Sequence, residues 1–440
     1  MQELFNQFAK DLFCSLQGDE QVSLSLAAEN TFFNRINQSK IRQTTQVEQG
    51  SVNFSYVKNK RTVDHSMPFG MDYETNFKKG LKLLEQCRSD IAQLPEDPFC
   101  AEFKNEGNSS ESHKGSFPDK EEWFDEYLPM LQSVDSAGLL IAGSVMRGSI
   151  NSLGQNHWYQ GESFNLDLSF YTPSQKAVKL IHADKKWSKN AFEKKVEFAK
   201  EQLISLDKPS KTIAPGRYRT YFAPEAVSDL INILSWYGVS ASSYHQGRSA
   251  LKSLADMETE LSKLFTLKED FSLGLGPRFN SLGELSETQV PLIENGKLRN
   301  LLTSTRTAKE YKLTSNKAEE SEGLRSPCVQ PGSLTETRIL SELGTGLYIS
   351  NVHYLNWSDL NKGRITGMTR YACFWVEDGS IVSPIKDMRF DESLYHFFGK
   401  GLVALTDKVS IIADNMTYDL RSVGGTSVPG MLVDDFAYTL

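Results

Sequence analysis

Phe164-Asn165-Leu166-Asp167-Leu168-Ser169-Phe170 carries an apolar residue at every second position. Successive side chains of an extended strand point to opposite faces, so this pattern buries one face of a sheet and leaves the other polar. The stretch lies in residues 137–172, which alternate through several strands. Toward the N-terminus the same alternation recurs in Ser51-Val52-Asn53-Phe54-Ser55-Tyr56, in Thr44-Thr45-Gln46-Val47 and over residues 21–28, with the character of hairpins. Helical spacing flanks these runs. Phe77, Leu81, Leu84, Cys87, Ile91 and Leu94 fall on one helix face that ends before Pro95. Residues 123–134 and a longer stretch over 188–203 read as further helices, so the expectation is a β-sheet covered by helices. Residues 102–120, rich in Asn, Ser, Gly, Glu and Lys, read as a mobile surface excursion.

A polar segment with Pro209 and Pro215 separates two compositions, which places a domain boundary there. The expected organisation is α+β with two domains, 1–208 and 209–440, built from antiparallel and mixed sheets covered by helices, the second domain being strand-rich. That second half opens with a strand over 217–222 and a helix over 224–236, with Pro224 in the first helical turn, where its missing N–H costs nothing. From about 288 onward the chain reads as strands and Gly turns, with a helix near 394–404.

The 440 residues are 39% hydrophobic and 24% charged, enough to bury sizeable cores. A net charge of −8 gives no general attraction to nucleic acid or to an anionic membrane. Five scattered cysteines without a C-x-x-C pair suggest neither a disulfide framework nor a structural zinc site, and read as free thiols in a reducing compartment. Residues 1–16 form an amphipathic pattern without the continuous apolar core of a signal peptide, and no stretch approaches the roughly 20 apolar residues of a membrane span. The expected location is the cytoplasm.

Local chemistry is sparse. The seven histidines are isolated, none with a second histidine three to five residues away, so no local metal cluster is present. There is no G-x-S-x-G, and Cys373 sits in the apolar run Tyr371-Ala372-Cys373-Phe374-Trp375, where a thiol is ordinarily packing material. Gly344-Thr345-Gly346 precedes its strand, whereas a nucleotide-binding glycine loop follows one, so it reads as a turn. Asp391-Glu392 and Asp434-Asp435 are adjacent pairs that point apart on a strand and read as solvated edge residues. Lys194-Lys195, among Glu193, Glu197 and Glu201, reads as a solvated helix face.

Several segments resemble the TldD/PmbA family, and within it the TldE (PmbA) side. The resemblance runs from Leu343-Gly344-Thr345-Gly346-Leu347-Tyr348 through Ile365-Thr366-Gly367-Met368-Thr369-Arg370 and Phe374-Trp375-Val376-Glu377-Asp378-Gly379 to Ile381-Val382-Ser383-Pro384, with weaker similarity over 284–302 and 46–54. It implies a two-domain α+β fold that pairs with another such subunit around a cavity where unfolded peptides are cut. In catalytic members of the family, a His-Glu-x-x-x-His motif on the helix opening the C-terminal domain holds zinc, a cysteine near the C-terminus adds a ligand, and the glutamate is the base. Carried onto this chain, the motif falls on Pro224-Glu225-Ala226-Val227-Ser228-Asp229. The glutamate remains as Glu225, the two histidine positions hold Pro224 and Asp229, and no cysteine follows Cys373. Proline cannot coordinate metal, and an acid in a first helical turn is also what the helix dipole favours.

The resemblance therefore implies a subunit with no catalytic residue and no metal or other cofactor of its own. Zinc would belong to a TldD-like partner, the assembly being either that heterodimer or a dimer with itself, acting on an unfolded peptide, with no role for nucleic acid or membrane. The strand region Ile365, Thr366, Gly367, Met368, Thr369 and Arg370 is the expected peptide edge, with Arg370 meeting a substrate carboxylate and His353 counted among the substrate-binding residues. The alternative is a self-sufficient peptidase or hydrolase assembled from His353, Glu225 and Asp229. A role in nucleic-acid or gyrase modulation finds no support in the charge pattern.

Overall fold

The alternation around Phe164 becomes the centre of a seven-stranded sheet. In the computed structural model, which describes residues 1–440, α1 (Gln2–Phe13) is followed by β1 (Gln21–Asn37), β2 (Lys40–Lys58) and β3 (Arg61–Pro68), and then by α2 (Tyr73–Ile91). Next come β4 (Asn108–His113), α3 (Trp123–Leu131), β5 (Asp135–Asn151), β6 (Asn156–Tyr171), β7 (Ala177–Asp184) and α4 (Lys189–Leu206). The sheet order is β3-β2-β1-β5-β6-β4, with β7 also on β6. Gln38 and Ser39, then Asn59 and Lys60, all have positive φ, and these two-residue turns match the right-handed twist of the hairpins they close.

β6 is long enough to take two partners along one edge. Residues 156–161 pair in parallel with β4, and residues 164–171 pair antiparallel with β7. The segment expected to be mobile thus contains an edge strand. Its polar composition fits that place, because an edge strand is held by its backbone and Ser109 Oγ reaches His157 Nδ1 at 2.8 Å.

One face of the sheet is dry. Leu24, Leu26 and Ala28 pack with Phe5, Phe8 and Leu12 of α1 and Leu84 of α2. Gly80 lets the two helices approach, since a Cβ there would stand 2.7 Å from the Phe8 ring. Phe164, Leu166, Leu168 and Phe170 pack with Trp123 of α3 and Phe192 of α4. The alternate residues of β1, Ser25, Ala27 and Glu29, face the second half of the chain.

The second sheet has thirteen strands: β8 (Gly216–Phe222), β9 (Leu267–Asp270), β10 (Gln289–Glu294), β11 (Lys297–Leu298), β12 (Pro327–Val329), β13 (Gly346–Ile349), β14 (Asn351–Asp359), β15 (Arg364–Arg370), β16 (Phe374–Glu377), β17 (Ser380–Pro384), β18 (Arg389–Ser393), β19 (Leu402–Ala413) and β20 (Gly425–Tyr438). β8 pairs in parallel with β13 and antiparallel with β20, so the sheet is mixed. The first helix of this half, α5 (Pro224–Asn232), follows β8 directly. The helix expected near 394–404 is a single irregular turn, His396–Lys400, because Gly399 takes a non-helical conformation and the chain is extended again from Leu402. Ala372 and Phe374 pack into the cluster beneath α3 and α4, so this core is shared by the two halves.

Candidate functional site

α5 begins on Ala223 in extended conformation, takes Pro224 as its first residue, and buries Ala226, Val227, Leu230 and Ile231 against the second core. Full burial of Val, Leu and Ile side chains is worth roughly 2 kcal/mol each, which fixes the helix rotation. Glu225, Ser228, Asp229 and Asn232 are then left on the face that lines a cavity of about 800 Å³. Ser25, Ala27 and Arg147 from the first sheet close it on one side, and residues 414–416 and 423–426 on another.

Glu225 and Asp229 are one turn apart on this face. Neither is on open surface, although both touch the cavity. Burial raises the Glu225 carboxyl above the ordinary range, opposed by its own backbone N–H and by Lys195. Burial, aided by the negative charge of Glu225, pushes Asp229 up to about 7. Each of two carboxyls in one poorly solvated space binds its proton more tightly than it would in water.

The rest of the wall is polar and tightly bonded. Arg421 lies within the strap of residues 414–424 that joins β19 to β20 and reaches the first sheet, donating to the Gly143 and Ser163 carbonyls and to Ser163 Oγ at 2.8 Å. Arg147 Nη2 returns a bond to the Arg421 carbonyl at 3.0 Å. Burial lowers the Arg421 guanidinium to about 10. On the helix side, Thr426 Oγ1 donates to Asn232 Oδ1 at 3.0 Å.

The expected site residues are only partly brought together. Asp229 shares a second groove with His353, Asn232, Trp236 and Tyr354, but Glu225 does not line it. Arg370 Nη1 donates to His353 Nδ1 at 3.4 Å, and burial together with that cation lowers the histidine's affinity for a proton. The peptide edge expected at residues Ile365, Thr366, Gly367, Met368, Thr369 and Arg370 is a correction. β15 is hydrogen-bonded to β14 along one side and to β18 along the other, so its backbone has no open edge for strand addition. Open edges belong to strands with a partner on one side only, such as β14, and composition does not distinguish the two cases.

One further expectation changes. Glu392 is buried and paired with Arg217 at 3.0 Å, so it is an anchor inside the fold and not a solvated edge residue. Lys195 is exposed on α4 as expected, and its amine also donates to the Ile181 carbonyl at 2.8 Å and borders a cavity with Glu225. The buried Arg147–Arg421 pair had no local signal in the sequence.

The donor set around α5 does not fit zinc. No three His, Cys, Asp or Glu side chains converge as a metal site. Pro224 offers no donor, and Glu225 and Asp229 are joined by no histidine or cysteine on this face. Cys373 donates its thiol hydrogen to the Arg370 carbonyl at 3.2 Å within the core, and burial pushes the thiol up to about 11.

Comparison with known proteins bears on the fold and the family. No curated protein matches the sequence. A structure of a candidate modulator of a DNA gyrase from Thermotoga maritima is 18% identical, with a TM-score of 0.78 over 99% of this chain and 100% of its own. TldE from Thermococcus kodakarensis is 15% identical, with a TM-score of 0.76 over 100% of this chain and 99% of its own. A second candidate gyrase modulator, from Bacteroides thetaiotaomicron, is 14% identical, with a TM-score of 0.75 over 99% and 98%. At these identities the likeness establishes the fold. The model of the PmbA/TldA metallopeptidase C-terminal domain matches residues 215–439, just over half of the sequence and the whole of the part that holds α5. This protein belongs to the PmbA/TldA metallopeptidase family.

Proposed function

We propose that the chain is a TldE-like, non-catalytic subunit of a TldD/TldE-type peptide-processing system, one that supplies cavity wall and peptide contacts to a zinc-bearing partner. The observation that carries this reading is the cavity face of α5: the positions onto which the family's two histidines fall are Pro224 and Asp229, while the cavity beside them measures about 800 Å³. Loss of ligands with retention of the enclosure is what a subunit needs if it shapes the space and leaves the chemistry to its partner.

The test is co-purification with a TldD-like protein encoded by the same genome, followed by cleavage of an unfolded peptide with and without this chain. Complex formation and faster cleavage are expected, with no stoichiometric zinc on this chain alone. Absence of binding and of any effect on cleavage would sink the reading.

The carboxyl pair favours one second reading, a self-sufficient hydrolase using Glu225 and Asp229 for acid–base work, since a group titrating near 7 can both give and take a proton at neutral pH. Cleavage by the purified chain alone, abolished in Glu225→Gln and Asp229→Asn, would establish it in place of the first.

A further inference from the structure

Glu225 borders a second cavity, of about 580 Å³, on the far side of the α5 N-terminus. It lies between α4 and β7 of the first half and β8, β13, β17 and β19 of the second, and its volume falls in the range of small-ligand sites. Hydrophobic residues make up a larger share of its lining than in the larger cavity. Ile181, Leu340 and Ile381 contribute aliphatic surface, and Phe198 stands at the mouth with 55% of its surface exposed.

The polar groups that converge on this space are mostly donors. Tyr221 is 3% exposed, and the Tyr348 ring lies 5.3 Å from its own. Neither hydroxyl is hydrogen-bonded within the protein, and burial holds both phenols protonated well above their ordinary range. Gly430 makes room for one of them, since a Cβ there would stand 2.1 Å from the Tyr221 oxygen. Three lysines ring the cavity. Lys179 is neutralised by Asp167, and Lys408 by Glu336 at 3.1 Å. Lys195 makes no salt bridge, with Glu225 and Asp184 near enough only to favour its charge, and spends one donor on the Ile181 carbonyl, leaving two N–H groups for another acceptor. Of the two acids in the wall, Glu336 is engaged by Lys408 and Glu225 is kept toward its neutral form by burial.

An apolar pocket with one unneutralised cation and two unengaged hydroxyls suits an apolar anion. We propose that this cavity binds the carboxylate end of an apolar chain, foremost the C-terminal aliphatic or aromatic residue of a peptide, with Lys195, Tyr221 and Tyr348 on the carboxylate and Ile181, Leu340 and Ile381 on the side chain. Only the peptide source of that ligand rests on the function proposed above. The pocket itself is tested on this chain without a partner.

The probe is a tetrapeptide, Ala-Ala-Ala-Leu, carrying an N-terminal fluorophore and read by polarisation, as the free acid and as the C-terminal amide. The acid is expected to bind at least tenfold more tightly than the amide. Lys195→Met, at an exposed position, should keep the melting temperature and lose the preference for the acid. Leu340→Trp should weaken both forms by filling the cavity. Equal affinity for acid and amide, or an acid preference that survives Lys195→Met, overturns the proposal. Dodecanoate serves as the second arm. Binding of dodecanoate with no binding of the peptide acid would support the pocket and overturn the peptide as its source. Partner-dependent cleavage that persists in a Lys195→Met variant with no acid preference would leave the subunit reading standing and remove this cavity from it.

Discussion

Asp229 stands one turn from Glu225 on α5 with both carboxyls facing the same cavity, and burial, aided by Glu225, raises the proton affinity of Asp229. The consequence is a pH dependence of stability with a definite sign. An acid whose folded-state pKa lies above its unfolded value binds its proton more tightly in the folded protein, so its contribution is complete below about 4 and is lost as pH rises through about 7. Asp229→Asn should therefore raise the melting temperature at pH 8 and change it little at pH 4. The shift corresponds to at most about 4 kcal/mol, and about 1–3 kcal/mol is expected after local relaxation. Thermal melts of both proteins at pH 4, 6 and 8 measure it, and equal differences at all three would refute the raised proton affinity of Asp229.

Arg421 ties the strap between β19 and β20 to the first sheet through three donated bonds. Its replacement by Met leaves buried acceptors on Gly143 and Ser163 without donors, at a cost of about 2–4 kcal/mol. Amide hydrogen exchange should then speed up over residues 414–424 well before it changes in β5 and β6. Unchanged protection of the strap would show that it is held by other contacts.

Phe374 belongs to the second half by sequence and to the core beneath α3 and α4 by packing. Phe374→Ala should cost about 3–5 kcal/mol in denaturant melts. Because the void would open in the core shared by the two halves, the signals from both should shift to lower denaturant together. A loss confined to the second half would contradict the shared core.

Of the five cysteines only Cys14 is exposed, while burial pushes the Cys373 thiol up to about 11 and Cys87 up to about 12. An aromatic disulfide reagent at pH 8 should titrate one thiol rapidly in the folded protein and five in guanidinium. Rapid reaction of three or more under native conditions would mean that the packing around Cys87 and Cys373 is looser than described.

What the sequence made legible is what neighbours in the chain decide. The strands of the first sheet follow from period-two alternation and tight turns, and α5 follows from Pro224 at its start and one apolar face. The contacts of Arg421 lie 258 and 278 positions away, and no local pattern announces them. Lys195 has the same limitation, because its place opposite Glu225 depends on how α4 and α5 meet. For residues 364–370 the sequence indicated a strand but not whether a neighbour lay on both of its sides, and that second fact decides whether a peptide can add to it.

β20 is the last strand in the sequence and also a hub of the second sheet, bonded to β8, β12, β18 and β19. The first sheet is joined largely by adjacent hairpins and can form while later residues are still being made. The second cannot close until residues 425–438 have left the ribosome, so β8 and α5 must wait, with their apolar faces uncovered, for more than 190 residues of synthesis. Ribosome-bound chains halted at residue 413 should be protease-resistant through β7 and cut readily beyond β8. The order of synthesis thus sets an order of folding, the first sheet before the second.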